Sequence, residues 1–134
     1  MSTIFDAVDS GDIDAVRIAI EDKSARDNEG KTPLHWASYN GNTEIARLLI
    51  EQGADVNAAD EYGITPLMSA CDGGYVETAR LLIEQGADVN AVDENLVTVI
   101  DNISYLSQPE IYDLLRESGA KNTIELRKKH QERK

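Results

Sequence analysis

The side chains best suited to catalysis or metal binding are scarce in this chain. It contains two histidines, His35 and His130, and a single cysteine, Cys71. Catalysis by a thiol nucleophile needs a neighbouring base and a group that orients the base, and a structural zinc site needs four ligands, mostly Cys and His. Because these three residues are few and far apart in the sequence, we predict no catalytic residue, no metal ligand and no cofactor.

Carboxylates are abundant, and several of them recur at a fixed interval. Asp27, Asp60 and Asp93 are 33 residues apart, as are Asp55 and Asp88. A row of carboxylates would suit Ca²⁺, but the sequence has neither the ligand spacing of an EF-hand loop nor a glycine-rich phosphate-binding loop. Asp side chains also accept hydrogen bonds from backbone N–H groups in turns. The interval therefore indicates repeated turns.

The composition indicates one acidic globular domain. The 134 residues are 41% hydrophobic and 28% charged, with a formal net charge of −12. Such a charge opposes direct binding of nucleic acid and would attract a basic partner. From Lys121 onward, however, six basic residues outnumber two acidic ones. This basic tail is compatible with a patch for nucleic acid or lipid, and with a solvated helix end, which is the interpretation we favour.

The sequence shows no targeting or membrane-spanning segment. Its first residues lack the basic and apolar regions of a signal peptide, and no apolar run approaches the ~20 residues of a membrane helix. A lone cysteine excludes an intrachain disulfide and fits a reducing compartment. We therefore expect a cytoplasmic protein without membrane contact.

The carboxylate interval belongs to a longer internal repeat. When residues 27–59 are placed above residues 60–92, 21 of 33 positions are identical. Each copy contains a Thr-Pro pair, in which Thr can cap a helix and Pro fits its first turn. We predict a short helix over 33–39, a break at Gly41, and a second helix with an apolar stripe that ends at Gly53. One such unit cannot bury its own apolar face, so stacked copies are expected to share a core.

These residues closely resemble the ankyrin repeat. The resemblance is carried by residues 27–37 and 53–57, is repeated over 60–90, and covers about residues 4–121. It implies an all-α solenoid of stacked helix-turn-helix units with β-turn or hairpin loops, about four repeats including two caps. The expected units are 1–26, 27–59, 60–92 and 93–121, followed over 122–134 by a short helix and the basic tail.

The fourth unit departs from the pattern of the two regular copies. Leu96 replaces the turn glycine and Val99 replaces the proline. We expect Asn95 to take over the left-handed conformation of that turn, because Asn tolerates it better than most residues. The segment 107–110 resembles a capping box, which predicts a last main helix over 109–117.

The resemblance implies that the turn tips and the short inner helices line a concave face that binds a partner protein. It also implies that His35 is structural and bonds to backbone groups between repeats. The candidate contact residues are the positions that differ between copies on these elements: Asn28, Glu29, Lys31, Trp36, Tyr39, Asn40, Glu61, Tyr62, Ile64, Ser69, Asp72, Glu94, Asn95 and Tyr105. Their aromatic members would supply interface anchors, although Trp36 is equally compatible with packing between repeats.

Three functions are compatible with this pattern. The first is a monomeric, non-enzymatic protein-interaction module, whose partner could carry a basic segment. The second is an acidic blocker of a basic surface on another protein, for example a nucleic-acid-binding one, and such a blocker would bind less tightly as salt increases. The third is an enzyme or small-ligand protein, which would need a deep pocket that a thin stack of repeats seldom offers.

Overall fold

The structure, a computed structural model, describes residues 3–132 except for some side chains near the end of that range, among them that of His130. The last two residues of the basic tail, 133 and 134, lie outside the described part. The α-helices are α1 (Ile4–Ser10), α2 (Ile13–Ile18), α3 (Pro33–Tyr39), α4 (Thr43–Glu51), α5 (Pro66–Asp72), α6 (Val76–Glu84), α7 (Pro109–Glu117) and α8 (Thr123–Glu132). Two 3₁₀ turns cover Ile20–Asp22 and Val99–Asn102.

The helices stack in two rows. The inner row consists of α1, α3, α5 and the second 3₁₀ turn, each in contact with the next. The outer row consists of α2, α4, α6 and α7, and each of the inner helices α1, α3 and α5 also contacts the outer helix that follows it in the chain. This arrangement confirms the predicted all-α ankyrin-type solenoid.

Local sequence signals explain where the inner helices begin. The Thr32 hydroxyl accepts a hydrogen bond from the backbone N–H three residues ahead, and so does the Thr65 hydroxyl. Proline follows each threonine in the first helical turn, where the missing N–H costs no hydrogen bond. The helix predicted over 33–39 is therefore confirmed at both ends.

The core lies between the two rows and runs through the stack. Ala37 and Ala70 are completely buried, and their small side chains let α3 and α5 lie close together. On the outer row, Leu49 and Leu82 occupy equivalent places and are also completely buried. Burial of each such leucine contributes about 2 kcal/mol. Because neighbouring units supply opposite walls of this core, each unit depends on the next.

Polar bonds join successive units at the far end of the outer helices. The Asn57 side chain donates to the carbonyl of Gly86 at 3.0 Å and accepts from the N–H of Asp88 at 2.7 Å. Asn90 forms the same two bonds one unit later: its side chain donates to the carbonyl of Gly119 at 3.2 Å and accepts from the N–H of Lys121 at 2.8 Å. These side chains satisfy backbone groups at helix ends and fix the step between units.

The fourth unit corrects two expectations. The residue in the left-handed conformation is Leu96, with φ 63°, and not Asn95. The helix over 109–117 is confirmed, but it begins without a side-chain cap, so the capping box predicted at 107–110 does not form. The inner helix of this unit is reduced to the 3₁₀ turn Val99–Asn102.

Leu96→Gly is expected to stabilise the protein by up to about 1 kcal/mol. A left-handed conformation costs an L-residue about 1–2 kcal/mol, and glycine avoids that cost. Part of the gain is cancelled, because glycine makes the unfolded chain more flexible and so increases the entropy lost on folding. Little burial is lost, because Leu96 is 60% exposed. Urea unfolding of both proteins measures the difference, and an unchanged or lower stability of the variant would contradict it.

Candidate protein-binding face

The inner face of the stack consists of the inner row and the turns at 27–31, 60–64 and 93–97. Each of these turns begins with an aspartate, and we call Asp27, Asp60 and Asp93 the turn aspartates. In every one, Oδ1 accepts backbone N–H bonds from the residues two and four positions ahead, at 2.8–3.1 Å. The predicted role of these carboxylates in stabilising turns is thereby confirmed.

Backbone bonds also link adjacent turns. The N–H of Glu61 donates to the carbonyl of Glu29 at 3.0 Å, and that of Glu94 donates to the carbonyl of Tyr62 at 2.8 Å. The turn tips are therefore held in a row, and their side chains are presented from a fixed backbone.

The second carboxylate oxygen of Asp60 binds a cation. The Lys31 ammonium lies 3.0 Å from Asp60 Oδ2 and 3.2 Å from Glu29 Oε2. It also lies 5.6 Å from the centre of the Tyr62 ring. Burial alone would raise the pKa of the Asp60 carboxyl, but its backbone hydrogen bonds and the Lys31 ammonium hold that pKa below its ordinary value. Lys31 is thus largely committed to bonds within the protein.

The aromatic candidates do not form one continuous strip. Tyr39, Tyr62 and Tyr105 are 56%, 41% and 55% exposed. Tyr105 packs edge-to-face on Tyr112 of α7, with ring centres 5.5 Å apart, so it is turned toward the outer row. Trp36 is half-buried against the core and donates from Nε1 to the turn aspartate of its own unit at 2.9 Å. Tyr39 and Tyr62 are therefore the aromatic candidates that remain exposed on the inner face itself.

The polar candidates fall into two groups. Asn40 and Ser69 bond within the protein: the Asn40 amide donates to Asp9 at 3.3 Å, and the Ser69 hydroxyl donates to the carbonyl of Thr65. Ser69 is also buried, and so is less available than its variability between copies suggested. The remaining candidates with polar side chains are exposed: Asn28, Glu29, Glu61, Asp72, Glu94 and Asn95.

A cavity of about 310 Å³ lies on the inner face between α5 and the fourth unit. It exists where the inner helix of that unit is shortened. Five of the candidate residues contribute to its wall: Lys31, Tyr39, Ile64, Ser69 and Asp72. The other residues of this wall were not among those predicted from the sequence, and they include Met68, Asp93, Val97, Thr98, Ile103 and Gln108. The sequence feature that could have indicated the cavity is the replacement of proline by Val99, because it marks the unit whose inner helix is shortened.

The geometry gives His35 and Cys71 structural roles. His35 Nδ1 accepts the N–H of Thr32 at 3.0 Å, and Nε2 lies 2.7 Å from the carbonyl of Ile64 in the next unit. Burial lowers the pKa of His35, so the ring is neutral near pH 7. Burial likewise raises the pKa of the Cys71 thiol to about 12, which leaves almost no thiolate. Among the described residues, no group of His, Cys, Asp and Glu could hold a metal ion.

Comparison with known proteins agrees with this architecture. The family model described as ankyrin repeats, in three copies, matches residues 4–93. Palmitoyltransferase akr1 of Schizosaccharomyces pombe is 41% identical over 61 residues, which are 42% of this chain and 10% of that protein. The acyl-CoA-binding domain-containing protein 2 of Arabidopsis thaliana is 53% identical over 32 residues, or 24% of this chain and 9% of that protein.

A third relative is the E3 ubiquitin-protein ligase Ufd4 of Drosophila melanogaster, 43% identical over 58 residues, or 40% of this chain and 2% of that protein. The chain thus spans a tenth or less of the length of these relatives. Within the part of the chain that the structure describes, no helix is both long and apolar enough to cross a membrane. The family match covers more than half of the residues and coincides with the stacked helix pairs, and the chain therefore belongs to the ankyrin repeat family.

Proposed function

We propose that this chain is a non-enzymatic protein-interaction module that binds a partner protein on its inner face. Stacked repeat proteins use extended surfaces of this kind for binding. The observation that carries the proposal is the exposure of Tyr39 and Tyr62 on a face whose backbone groups are already bonded between units. Rigid, exposed aromatic side chains are frequent anchors of protein interfaces.

The chemistry of the inner face supports a binding role over a catalytic one. His35 is neutral, buried and bonded on both ring nitrogens, and the Cys71 thiol is protonated. A base and a nucleophile in these states are unsuited to activating each other. The shared ankyrin segments lie within much longer relatives, so the activities in those proteins' names support no proposal for this chain.

The charge of the face favours a basic partner, and this also keeps the acidic-blocker function open. Glu61, Asp72 and Glu94 are exposed and form no ion pair among the described residues. With a net charge of −12, the chain would steer a basic surface toward itself. We further propose that it acts as a monomer in the cytoplasm, where a single buried cysteine stays reduced.

Tyr62→Ala is expected to weaken partner binding about tenfold or more while leaving the fold intact, because an aromatic anchor would be lost from an exposed position. Proteins captured from the source cell by the tagged chain are identified by mass spectrometry. The affinity of each purified partner is then measured by calorimetry for the wild type, for Tyr62→Ala and for Tyr39→Ala.

The matched control is Glu77→Ala on the outer helix α6, which removes an exposed side chain from the opposite row. Equal loss of affinity in the control and the tyrosine variants would count against the inner face, and loss of helical circular dichroism would assign the tyrosines to the fold. Repeating the measurement at higher salt separates the two functions. A blocker held mainly by charge loses affinity steeply, whereas an aromatic-anchored complex does not.

A further inference from the structure

The three turn aspartates differ in what their second oxygen binds. Oδ2 of Asp27 accepts the indole N–H of Trp36, and Oδ2 of Asp60 binds the ammonium of Lys31 from the preceding unit. For Asp93 no hydrogen bond or ion pair to Oδ2 is found among the described residues. Within the part of the chain that the structure describes, one turn of an otherwise repeated series therefore has a carboxylate oxygen with neither a hydrogen bond nor an ion pair.

The repeat shows why no cation of the described residues pairs with Asp93. The position equivalent to Lys31 in the next unit is Ile64, 33 residues later, and its side chain carries no charge. The Lys31–Asp60 pair shows that an ammonium group fits beside a turn aspartate in this backbone geometry. Beside Asp93, position 64 therefore supplies no charged group of the kind that Lys31 supplies to Asp60.

The space beside Asp93 borders the cavity between α5 and the fourth unit. Asp93, Ile64 and Val97 all line the cavity, and Asp72 adds a second carboxylate to its wall. Two further lining residues, Thr98 and Gln108, carry the buried oxygens Oγ1 and Oε1, for which no hydrogen-bond partner is found in the described part of the chain. Thr98 is completely buried. Buried oxygens without donors are uncommon in folded proteins, so the hydrogen bonding of the residues in this wall is incomplete.

Lys31 also lines the cavity and is the charged group there that would oppose a second cation. Its ammonium is already paired with Glu29 and Asp60, so two carboxylates offset its charge. The remaining wall is mostly apolar, from Met68, Val99 and Ile103 among others. A long side chain with an aliphatic stem and a cationic end matches this combination, because such side chains bury the stem and keep the charge near polar groups.

We propose that this cavity binds one lysine or arginine side chain of a partner protein. The stem lies against Ile64 and Met68, and the cationic group bonds to Asp93 as Lys31 bonds to Asp60. The proposal rests on the inner face being a protein-binding face, and it adds the chemistry that the partner must present. At about 310 Å³, the cavity is at the small end of ligand-binding pockets, which suits a single side chain.

The test uses the full ¹⁵N-labelled chain and three small probes, the Nα-acetyl methylamides of lysine, arginine and norleucine. Norleucine has the aliphatic stem without the charge. The lysine or arginine probe is expected to shift the amide signals of Ile64, Val97 and Ile103 saturably, with a dissociation constant of about 1 mM, and to bind about tenfold more tightly than norleucine.

Two variants test the site itself. Asp93→Asn removes the charge but keeps an oxygen for the two backbone bonds of the turn, and we expect it to weaken the basic probes about tenfold. Ile64→Lys supplies the missing cation from the position equivalent to Lys31, and we expect it to abolish binding. The control is Asp88→Asn, which makes the same charge change in another turn, where Oδ1 also accepts a backbone N–H, and should alter affinity less than about twofold.

Equal binding of norleucine, unsaturable shifts over the whole acidic surface, or no shifts near the cavity would overturn the proposal, as would unchanged binding by Asp93→Asn. These results leave the proposed function standing if captured partners still depend on Tyr39 and Tyr62. If the probes bind as expected but the affinity of partners is unchanged in the tyrosine variants and in Ile64→Lys, the cavity binds basic side chains and the proposed function fails.

Discussion

His35→Ala is expected to lower the free energy of unfolding by about 3 kcal/mol, because it empties a buried site, leaves the N–H of Thr32 without a partner, and removes one of the two hydrogen bonds to the Ile64 carbonyl, which keeps the bond from the N–H of Asp60. Nδ1 accepts the N–H of Thr32, so the proton of the neutral ring resides on Nε2 and is donated to the carbonyl of Ile64 at 2.7 Å. This bond crosses from one unit to the next. Urea denaturation at about pH 7.5, where the ring is neutral in both states, measures the loss.

The control for that substitution is His35→Gln, which cannot be protonated near neutral pH but retains a donor and an acceptor. It should cost less than His35→Ala, and it isolates the effect of pH. Equal stability of His35→Ala and the wild type would show that the ring does not join the two units.

The same histidine should make stability depend on pH. Burial lowers the pKa of His35 in the folded protein, although the Ile64 carbonyl and Asp60 act in the opposite direction, and Lys31 and Arg26 reinforce the lowering. In the unfolded chain the ring has its ordinary pKa, 6.5. Its stabilisation is therefore complete above pH 6.5. As pH falls below that value, the unfolded state takes up a proton that the folded state resists.

The advantage of the wild type over His35→Gln should accordingly shrink by up to about 1.4 kcal/mol per pH unit below about 6.5. Measuring from about pH 7.5 down to about pH 5.5 keeps both proteins above the sequence pI of about 4.4. The comparison with the variant removes the effect of the carboxylates, which both proteins share. A difference that stays constant over this range would show that the folded and unfolded pKa values are alike.

Sequence reasoning succeeded where a structural feature depends on neighbouring residues. The helix starting at Pro33 was predictable because the threonine cap and the proline act within one turn of chain. It failed at Leu96, where the local preference of Asn95 is overridden by the geometry of the turn. Asp93 Oδ1 accepts N–H bonds from positions 95 and 97, and this pattern leaves the residue between them in the left-handed conformation.

The candidate binding face was only partly predictable for a related reason. Variation between two copies identifies positions that stacking leaves free, which is why exposed Tyr39 and Tyr62 were among the candidates. It does not reveal bonds formed across units, such as the one that commits Asn40 to Asp9. The cavity lies between units and depends on the length of the last inner helix, and no single segment of sequence encodes that space.

Gly63→Ala is expected to destabilise the protein by about 3 kcal/mol, more than the same change at Gly30 or Gly74. Gly63 has φ 78°, where an alanine is strained by about 1–2 kcal/mol. A Cβ added there would also lie 2.9 Å from the Asp93 Cα and from the Glu94 nitrogen, which are backbone atoms that cannot rotate away. The third and fourth units would have to separate, and the 2.8 Å bond between Tyr62 and Glu94 would lengthen.

Gly74 provides a matched control for Gly63. It has the same φ, 78°, but a Cβ at Gly74 would have nothing within 4 Å. Gly74→Ala should therefore show the conformational cost alone, about 1 kcal/mol. Gly30, at the turn position equivalent to Gly63, is intermediate, since its Cβ would lie 3.2 Å from the Glu61 nitrogen.

The expected order of destabilisation in urea is thus Gly63→Ala, then Gly30→Ala, then Gly74→Ala. In a stack whose stability is a sum of unit and interface terms, weakening one interface also lets the units beyond it unfold separately. Gly63→Ala should consequently broaden the unfolding transition, with the fourth unit losing hydrogen-exchange protection before the others. Equal effects of Gly63→Ala and Gly74→Ala would mean that the close contact between the turns at 60–64 and 93–97 does not hold the fourth unit in place. The same contact would then not position the wall that this unit contributes to the cavity.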